Sequence, residues 1–435
     1  MLSRRQFLWG SATVWSQTPK RPNVVLILAD DVGYECFGLY GSRQYKTPVL
    51  DRLAAEGVKF NHCYSTPLCT PTRVALMTGQ SNVRNYVDFG ALAPGEFTFA
   101  QLFKNAGYAT AIAGKWQLDG NRVKGTAPEE SGFDSWCLWN TRKTGRNRYW
   151  NPSIEVNGTL RVAKAEEYGP DIYSGFLLDF MERNKARPFF AYYPMALTHG
   201  PFEPTPDSAN RQSVNNQRNF EDMVAFADKI VGRIAEKAKA VGNTVVIFLG
   251  DNGTAHDLQS ELEGRRITGD KGSTTDAGTH VPLLVWGPGI VKGGRVNGDL
   301  IDPTDFLPTL AEAIGVSAPK GDGQSFWPQV KGEKGKPRET LCGYYFPRPY
   351  AAKFDTPYQH PEVSFARDHR YKLYRDGQAF DLEKDPGETA PVTLPEGVRA
   401  KLQAALERMP AHGARIPREH WERSRGVARP RWNGH

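Results

Sequence analysis

The side chains with the most chemical potential in this chain are acids placed where a fold would gather them. The apolar run 23–29, NVVLILA, ends in Asp30 and Asp31, and a second run, 244–250, TVVIFLG, ends in Asp251 and Asn252. Adjacent carboxylates at the end of a buried strand repel one another unless something positive sits between them. Two such ends in separate segments have no good packing explanation. With the Asn252 amide oxygen they form an all-oxygen donor set of the kind that suits a hard divalent cation. A further segment reads Cys69-Thr70-Pro71-Thr72-Arg73. Taken alone it is a structural cysteine beside a turn-forming proline. Lys115 in 113–118 (AGKWQL) and Lys271 in 269–273 (GDKGS) would alone be surface lysines, and His199 in 198–202 (THGPF) a structural histidine.

Their contexts and order change that reading. The C-x-P-x-R run, the strand ends Asp30-Asp31 and Asp251-Asn252, the G-K-W segment, the His-Gly-Pro turn, and the lysine loop running into 281–289 (VPLLVWGPG) belong to a pattern that covers roughly residues 22–390. Together they resemble the type I, formylglycine-dependent sulfatases of the alkaline-phosphatase-like superfamily. The resemblance implies that Cys69 is oxidised to formylglycine by a maturation enzyme, and that one hydroxyl of the hydrated aldehyde attacks sulfur while the other later expels sulfate. It implies a metal held by Asp30, Asp31, residue 69, Asp251 and Asn252, with sulfate oxygens completing a shell that favours Ca²⁺ over octahedral, water-retaining Mg²⁺. Three carboxylates, one divalent ion and Arg73, Lys115 and Lys271 then sum to about +2, which matches a sulfate ester and the alkoxide that must leave it. Lys115, Gln117, His199 and Lys271 would contact the substrate, with Lys271 or His199 protonating the leaving oxygen. Gln117 stands where many members carry His and cannot titrate, so the base that regenerates the aldehyde would be another group such as Asp251 or a water. His280 stands where Arg is usual, and Thr72 where Ser is common.

The elements that must position these residues follow from hydrophobic pattern. From 23 to about 330, buried strand patterns alternate with helical ones; in 222–240, Met223, Phe226, Ala227, Ile230 and Ile234 recur at helical spacing just before the strand carrying Asp251. The alternation predicts an α/β fold, a large, mostly parallel sheet sandwiched by helices, with ligands at the carboxyl ends of its strands. If a helix begins near Thr70, Arg73 lies one turn along it with its side chain directed back at the metal. After the Pro-, Gly- and Lys-rich stretch 331–338, short strands at 340–346, 363–368, 371–374 and 377–382 and a helix bearing Val398, Leu402, Ala405 and Leu406 predict a small C-terminal α+β subdomain. The expected division is an export signal and linker at 1–22, a catalytic domain at 23–330, the subdomain at 331–410, and a basic arm at 411–435.

Composition narrows the class. The chain has 435 residues, 39% of them hydrophobic, enough for a large core. No apolar stretch reaches the roughly 18 residues of a membrane span. The net charge of +7, much of it in the terminal arms, is compatible with an anionic substrate and is ordinary for a solvated basic surface, so no nucleic acid partner is expected. Ser3-Arg4-Arg5-Gln6-Phe7-Leu8 followed by a short apolar stretch looks like a twin-arginine export signal, which places the protein in the periplasm or outside the cell without a stable membrane anchor. Beyond Cys69, the cysteines Cys36, Cys63, Cys137 and Cys342 match no zinc spacing. Three activities share this pattern. The leading one is hydrolysis of sulfate monoesters on sulfated carbohydrate or a related ester; the others are a phosphonate or phosphodiester hydrolase of the same superfamily, and a catalytically silent protein that binds sulfated glycans.

Overall fold

A computed structural model describes residues 21–120, 123–145, 147–348 and 362–410, so the twin-arginine segment and the basic arm 411–435 lie outside the described residues. The strands are β1 (Asn23–Ala29), β2 (Val58–Tyr64), β3 (Ala109–Trp116), β4 (Ser135–Asn140), β5 (Ser153–Val156), β6 (Thr159–Val162), β7 (Phe189–Pro194), β8 (Thr244–Gly250), the hairpin pair β9 (Gln259–Leu262) and β10 (Arg265–Thr268), then β11 (His280–Trp286) and β12 (Arg295–Ile301). Ten of them form one sheet in the order β12-β2-β11-β8-β1-β7-β3-β4-β5-β6. The central block β8-β1-β7-β3-β4 is parallel, as the alternation of strands and helices predicts. Antiparallel pairing enters where β11 meets β8 and β2, and again at β4-β5 and β5-β6, so the whole sheet is mixed.

The continuous apolarity of β1 is explained by what lies on each side of it. Val25, Ile27 and Ala29 pack into one core with the helices Pro48–Glu56, Gly169–Arg183 and Asn216–Val241. Val24, Leu26 and Leu28 pack into a second core with Cys69–Thr78, Phe99–Asn105 and Phe306–Ala313. A strand covered on both faces needs apolar residues at every position. Each fully buried aliphatic side chain contributes about 1.5–3 kcal/mol, which anchors the strand ends that carry charged residues. The long helix starts earlier than its apolar face suggested, at Asn216, because the Asn215 side chain caps it by accepting the Arg218 amide at 2.9 Å.

A separate four-stranded antiparallel sheet, β13 (Leu341–Tyr345), β14 (Val363–Arg367), β15 (Tyr371–Tyr374) and β16 (Ala379–Asp381), follows in chain order. The helix Glu396–Arg408 lays Leu402, Ala405 and Leu406 on Ala366, Leu373 and Ala379. All five cysteines are free thiols, and among the described residues no helix is long and apolar enough to cross a membrane.

Candidate active site

The parallel register of β1 and β8 brings the acids together. Ala29 is paired with Gly250, so Asp30-Asp31 and Asp251-Asn252 leave adjacent strands at the same level, and the Asp31 amide donates to Asp251 Oδ1 at 3.1 Å. Asp31 adopts φ 60°, the left-handed region that a non-glycine residue enters at a cost, and this turn is what redirects its carboxylate. β3 supplies Lys115 two strands away, through a glycine that nothing else can replace. Gly114 has φ 112°, and a Cβ there would lie 2.1 Å from the Pro194 carbonyl oxygen of β7. The extension of β7 delivers His199, and the loop after β10 delivers Lys271. The helix Cys69–Thr78 is buried at every residue, starts at Cys69 itself, and has no side-chain cap on its first amides.

These residues converge tightly. Lys115 Nζ lies 2.9 and 2.8 Å from the two Asp30 oxygens. Arg73 donates to Asp251 Oδ2 from Nη2 at 2.7 Å and Nε at 3.1 Å, with Nη2 also 3.4 Å from Asp30 Oδ1. Lys271 Nζ sits 2.5 Å from Asp31 Oδ2, and His199 Nε2 is 3.6 Å from the same oxygen. The Asn252 amide nitrogen donates to Asp31 Oδ1 at 2.9 Å. Cys69 Sγ is 3.4 Å from Gln117 Oε1. Ligand atoms of Asp30, Cys69 and Asp251 all lie within 4.8 Å of one another, whereas the Asp31 carboxylate is turned to Lys271 and Asn252. Asp30, Asp251, Arg73 and Lys115 are at most 2% exposed, while Lys271 and His199 retain 18% and 28% of their side-chain exposure. The open side of the site is therefore the side of Lys271 and His199.

Burial opposes every charge here and the neighbours decide the outcome. It pushes the Asp30 carboxyl up, but Lys115 and Arg73 outweigh it and hold Asp30 well below the usual carboxylate range. Asp251 goes the other way: burial, with the Asp30 charge beside it, pushes it up to about 7 against the pull of Arg73. Burial pushes the Cys69 thiol up despite Lys115, so residue 69 as encoded is a protonated thiol and a poor nucleophile. Burial likewise pushes His199 down to about 3, leaving a neutral imidazole, while Asp31 overrides burial to hold Lys271 cationic.

The donor set fits a divalent cation. Asn252 Oδ1 is buried with no hydrogen-bond partner, although its amide nitrogen is fully engaged with Asp31 and the Gly253 carbonyl. An orphaned buried carbonyl oxygen beside carboxylates of which one has been driven towards protonation lacks only a hard positive centre. His280, by contrast, is away from this cluster. Its Nδ1 is 3.2 Å from Asp276, its Nε2 is 2.8 Å from the Asn61 carbonyl, and its ring stacks on Tyr34 at 3.8 Å.

Three residues around His199 escaped the sequence reading. Arg148 Nη1 lies 2.8 Å from His199 Nδ1, its guanidinium stacks 3.9 Å from the centre of the Trp139 ring, and the Tyr149 hydroxyl donates to the carbonyls of Ala196 and His199. The basic run 142–148 after β4 was the available signal.

A sheet of this topology, gathering carboxylates, fixed cations and a buried cysteine at the ends of its central strands, defines an enzyme of the alkaline-phosphatase-like class. The family follows from sequence. Residues 22–316 match the sulfatase family model, and residues 268–411 match the model described as N-sulphoglucosamine sulphohydrolase, C-terminal. The chain is 31% identical to N-acetylgalactosamine-6-sulfatase of Canis lupus familiaris over 72% of its own length and 67% of the relative's. The chain thus belongs to the sulfatase family and is a sulfuric ester hydrolase. The crystal structure of Ps i-CgsB is similar in fold, with a TM-score of 0.74 and 23% identity, over 95% of this chain and 99% of that one. So is that of BT4656 in complex with its substrate D-glucosamine-2-N,6-O-disulfate, with a TM-score of 0.69 and 20% identity over 89% and 96% of the two chains. The phosphonate monoester hydrolase of Agrobacterium radiobacter shares the fold as well, with a TM-score of 0.67 and 20% identity over 89% and 94%.

Proposed function

We propose that the protein hydrolyses sulfate monoesters on sulfated carbohydrate, with formylglycine made from Cys69 as the nucleophile and one Ca²⁺ held by Asp30, Asp31, Asp251, Asn252 and residue 69. The observation that carries this reading is the position of Cys69: a buried thiol at the first residue of a helix, within 4.8 Å of the Asp30 and Asp251 oxygens. A thiol without a base in such a place is inert as encoded, and its neighbourhood of acids and fixed cations suits an oxygen nucleophile beside a metal. When bound, the ion and the hydrated aldehyde supply Lewis acidity and the attacking hydroxyl. The chain's own residues do the rest. Arg73 keeps Asp251 oriented, Lys115 keeps Asp30 ionised, and both bring positive charge to the sulfate oxygens. Lys271 and His199, on the open side, meet the ester itself. Lys271 holds the proton that the departing alkoxide oxygen takes.

The carbohydrate assignment draws support from the names of the sulfatase relative and the substrate-bound neighbour, both amino sugar sulfates. The reading also includes maturation by a formylglycine-generating enzyme and export by the twin-arginine route, for which Arg4-Arg5 is the support. Two measurements on one preparation test it. After co-expression with a maturation enzyme, the tryptic peptide 60–73 should carry formylglycine at position 69 by mass, and the same protein should turn over sulfated sugars faster than matched phosphodiesters. Active protein with an unmodified Cys69, or a preference for the phosphodiester, would overturn it.

A further inference from the structure

The side chain against His199 on the face away from the acids is Arg148, and its placement is built rather than incidental. Trp139 lies on β4 in register with Lys115 of β3, and its indole nitrogen is tied to the Gly145 carbonyl at 2.8 Å. That indole is the platform on which the guanidinium stacks, at 3.9 Å from the ring centre. Arg148 is 7% exposed. Tyr149, the next residue, fixes the other side of the turn by bonding the Ala196 and His199 carbonyls. Arg148 and Tyr149, adjacent in the chain, therefore hold both the ring and the backbone of His199.

The ring nitrogens of His199 face incompatible demands, and these select one tautomer. Nδ1 lies 2.8 Å from Arg148 Nη1, which can only donate, and 2.7 Å from the Gly200 carbonyl oxygen, which can only accept. Nε2 faces Asp31 Oδ2 at 3.6 Å, which can only accept. A proton on Nδ1 would satisfy Gly200 alone, press an N–H against a cationic N–H, and aim the Nε2 lone pair at a carboxylate. A proton on Nε2 lets Nδ1 accept from the cationic Arg148 and turns an N–H towards the Asp31 charge; it sets the Nδ1 lone pair against the Gly200 carbonyl, a neutral acceptor that the charged donor outweighs. A hydrogen bond at one ring nitrogen sets what the other presents to the site.

We propose that Arg148 is a positioning residue that occupies Nδ1 of His199, so that His199 meets the sulfate ester as an Nε2–H donor. The inference rests on the reading of His199 as a residue that contacts the ester. A neutral donor at that place shares its hydrogen with a sulfate oxygen or the bridging oxygen and returns it unchanged, so no proton is consumed. Esters with poor leaving groups depend on it most.

The test combines spectroscopy with kinetics on the matured, Ca²⁺-loaded protein. Nitrogen-15 spectra of the histidine rings, with His199 assigned by its absence in His199→Ala, should show His199 protonated at Nε2 in the wild type. Loss or averaging of that signature is expected in Arg148→Met. In turnover, Arg148→Met should lower kcat for a sugar sulfate at least tenfold with little change in KM, and should lower kcat less for 4-nitrophenyl sulfate. In the His199→Ala background it should add nothing further. A wild-type His199 protonated at Nδ1 would overturn the proposal even if the variant failed to fold. So would an undiminished effect of Arg148→Met in the His199→Ala background, which would make Arg148 a substrate contact in its own right. If the Nε2–H tautomer is found but no sulfate ester is turned over, the functional reading fails and the positioning of His199 stands.

Discussion

On the proposed mechanism residue 69 acts as formylglycine and not as the encoded thiol, and Gln117 sits beside it. Its Oε1 is 3.4 Å from Cys69 Sγ, close enough to orient whatever residue 69 becomes. An amide oxygen accepts a hydrogen bond but not a proton at working pH. On that mechanism attack on sulfur would use Arg73, Lys115 and Lys271, whereas release of sulfate would need a proton acceptor that Gln117 cannot be. The expected outcome is a burst of released alcohol followed by slower turnover. Gln117→His should remove the burst and raise the steady rate by up to about a hundredfold, the lower end of what a placed general base contributes. Stopped-flow kinetics checks both. A wild type without a burst, coupled to a slower Gln117→His, would assign Gln117 to substrate binding and the base to another group.

Among the elements, the loop that carries Lys271 is held from two directions. Its own backbone is tied to the catalytic sheet, with the Lys271 amide on the Thr254 carbonyl at 3.0 Å and the Gly272 amide on the Pro67 carbonyl at 2.9 Å, just ahead of Cys69. The C-terminal sheet grips the other end. Lys372 Nζ bonds the Thr274 carbonyl and lies 2.8 Å from Glu388, and the Tyr374 hydroxyl is 2.8 Å from Thr274 Oγ1. Lys372→Met should therefore lower kcat/KM, because it loosens the loop that presents Lys271. It should also cost about 3–5 kcal/mol of stability, because Glu388 is left buried without its cation. Urea melts and steady-state kinetics on the same protein check the pair of effects. Burial pushes the Lys372 ammonium down to about 8 even with Glu388 beside it. The folded chain then sheds a proton that the unfolded chain keeps until the ordinary lysine value, so Lys372 should make stability rise between about pH 8 and 10. That slope should be absent in Lys372→Met. A variant with unchanged kcat/KM would show that the catalytic sheet alone positions Lys271.

For the molecule as a whole, the site is electrically self-contained without metal, since Asp30, Asp31 and Asp251 are matched by Arg73, Lys115 and Lys271. The protein should therefore stay folded in chelator while losing turnover. On the proposed reading bound Ca²⁺ would add stability by linkage, about 2.7 kcal/mol at a free concentration a hundred times Kd. Thermal melts with and without chelator should show a fall in Tm that Ca²⁺ reverses and Mg²⁺ reverses less, because the residues that would hold the ion offer many oxygen donors, which suits Ca²⁺ better than water-retaining Mg²⁺. Identical melting and identical turnover in chelator would remove the metal from the reading.

The sequence alone determined the central strands and the order of the chemistry along them. Apolar runs such as 23–29 and 244–250 carry their burial on both faces in local composition, and acids at their ends mark the candidate functional edge of the sheet. The C-terminal meander was equally visible, since short alternating runs and a one-faced helix are local patterns. Tertiary structure decided the rest. β11 is as apolar as its parallel neighbours, so composition could not tell that it runs antiparallel to β8. The unpartnered oxygen of Asn252, the Asp31 carboxylate turned to Lys271, the grip of Lys372 on Thr274, and the seating of Arg148 between Trp139 and His199 are all contacts between segments far apart in the chain. Hydrophobic periodicity records which face of an element is buried; it does not record which distant polar group will be waiting there.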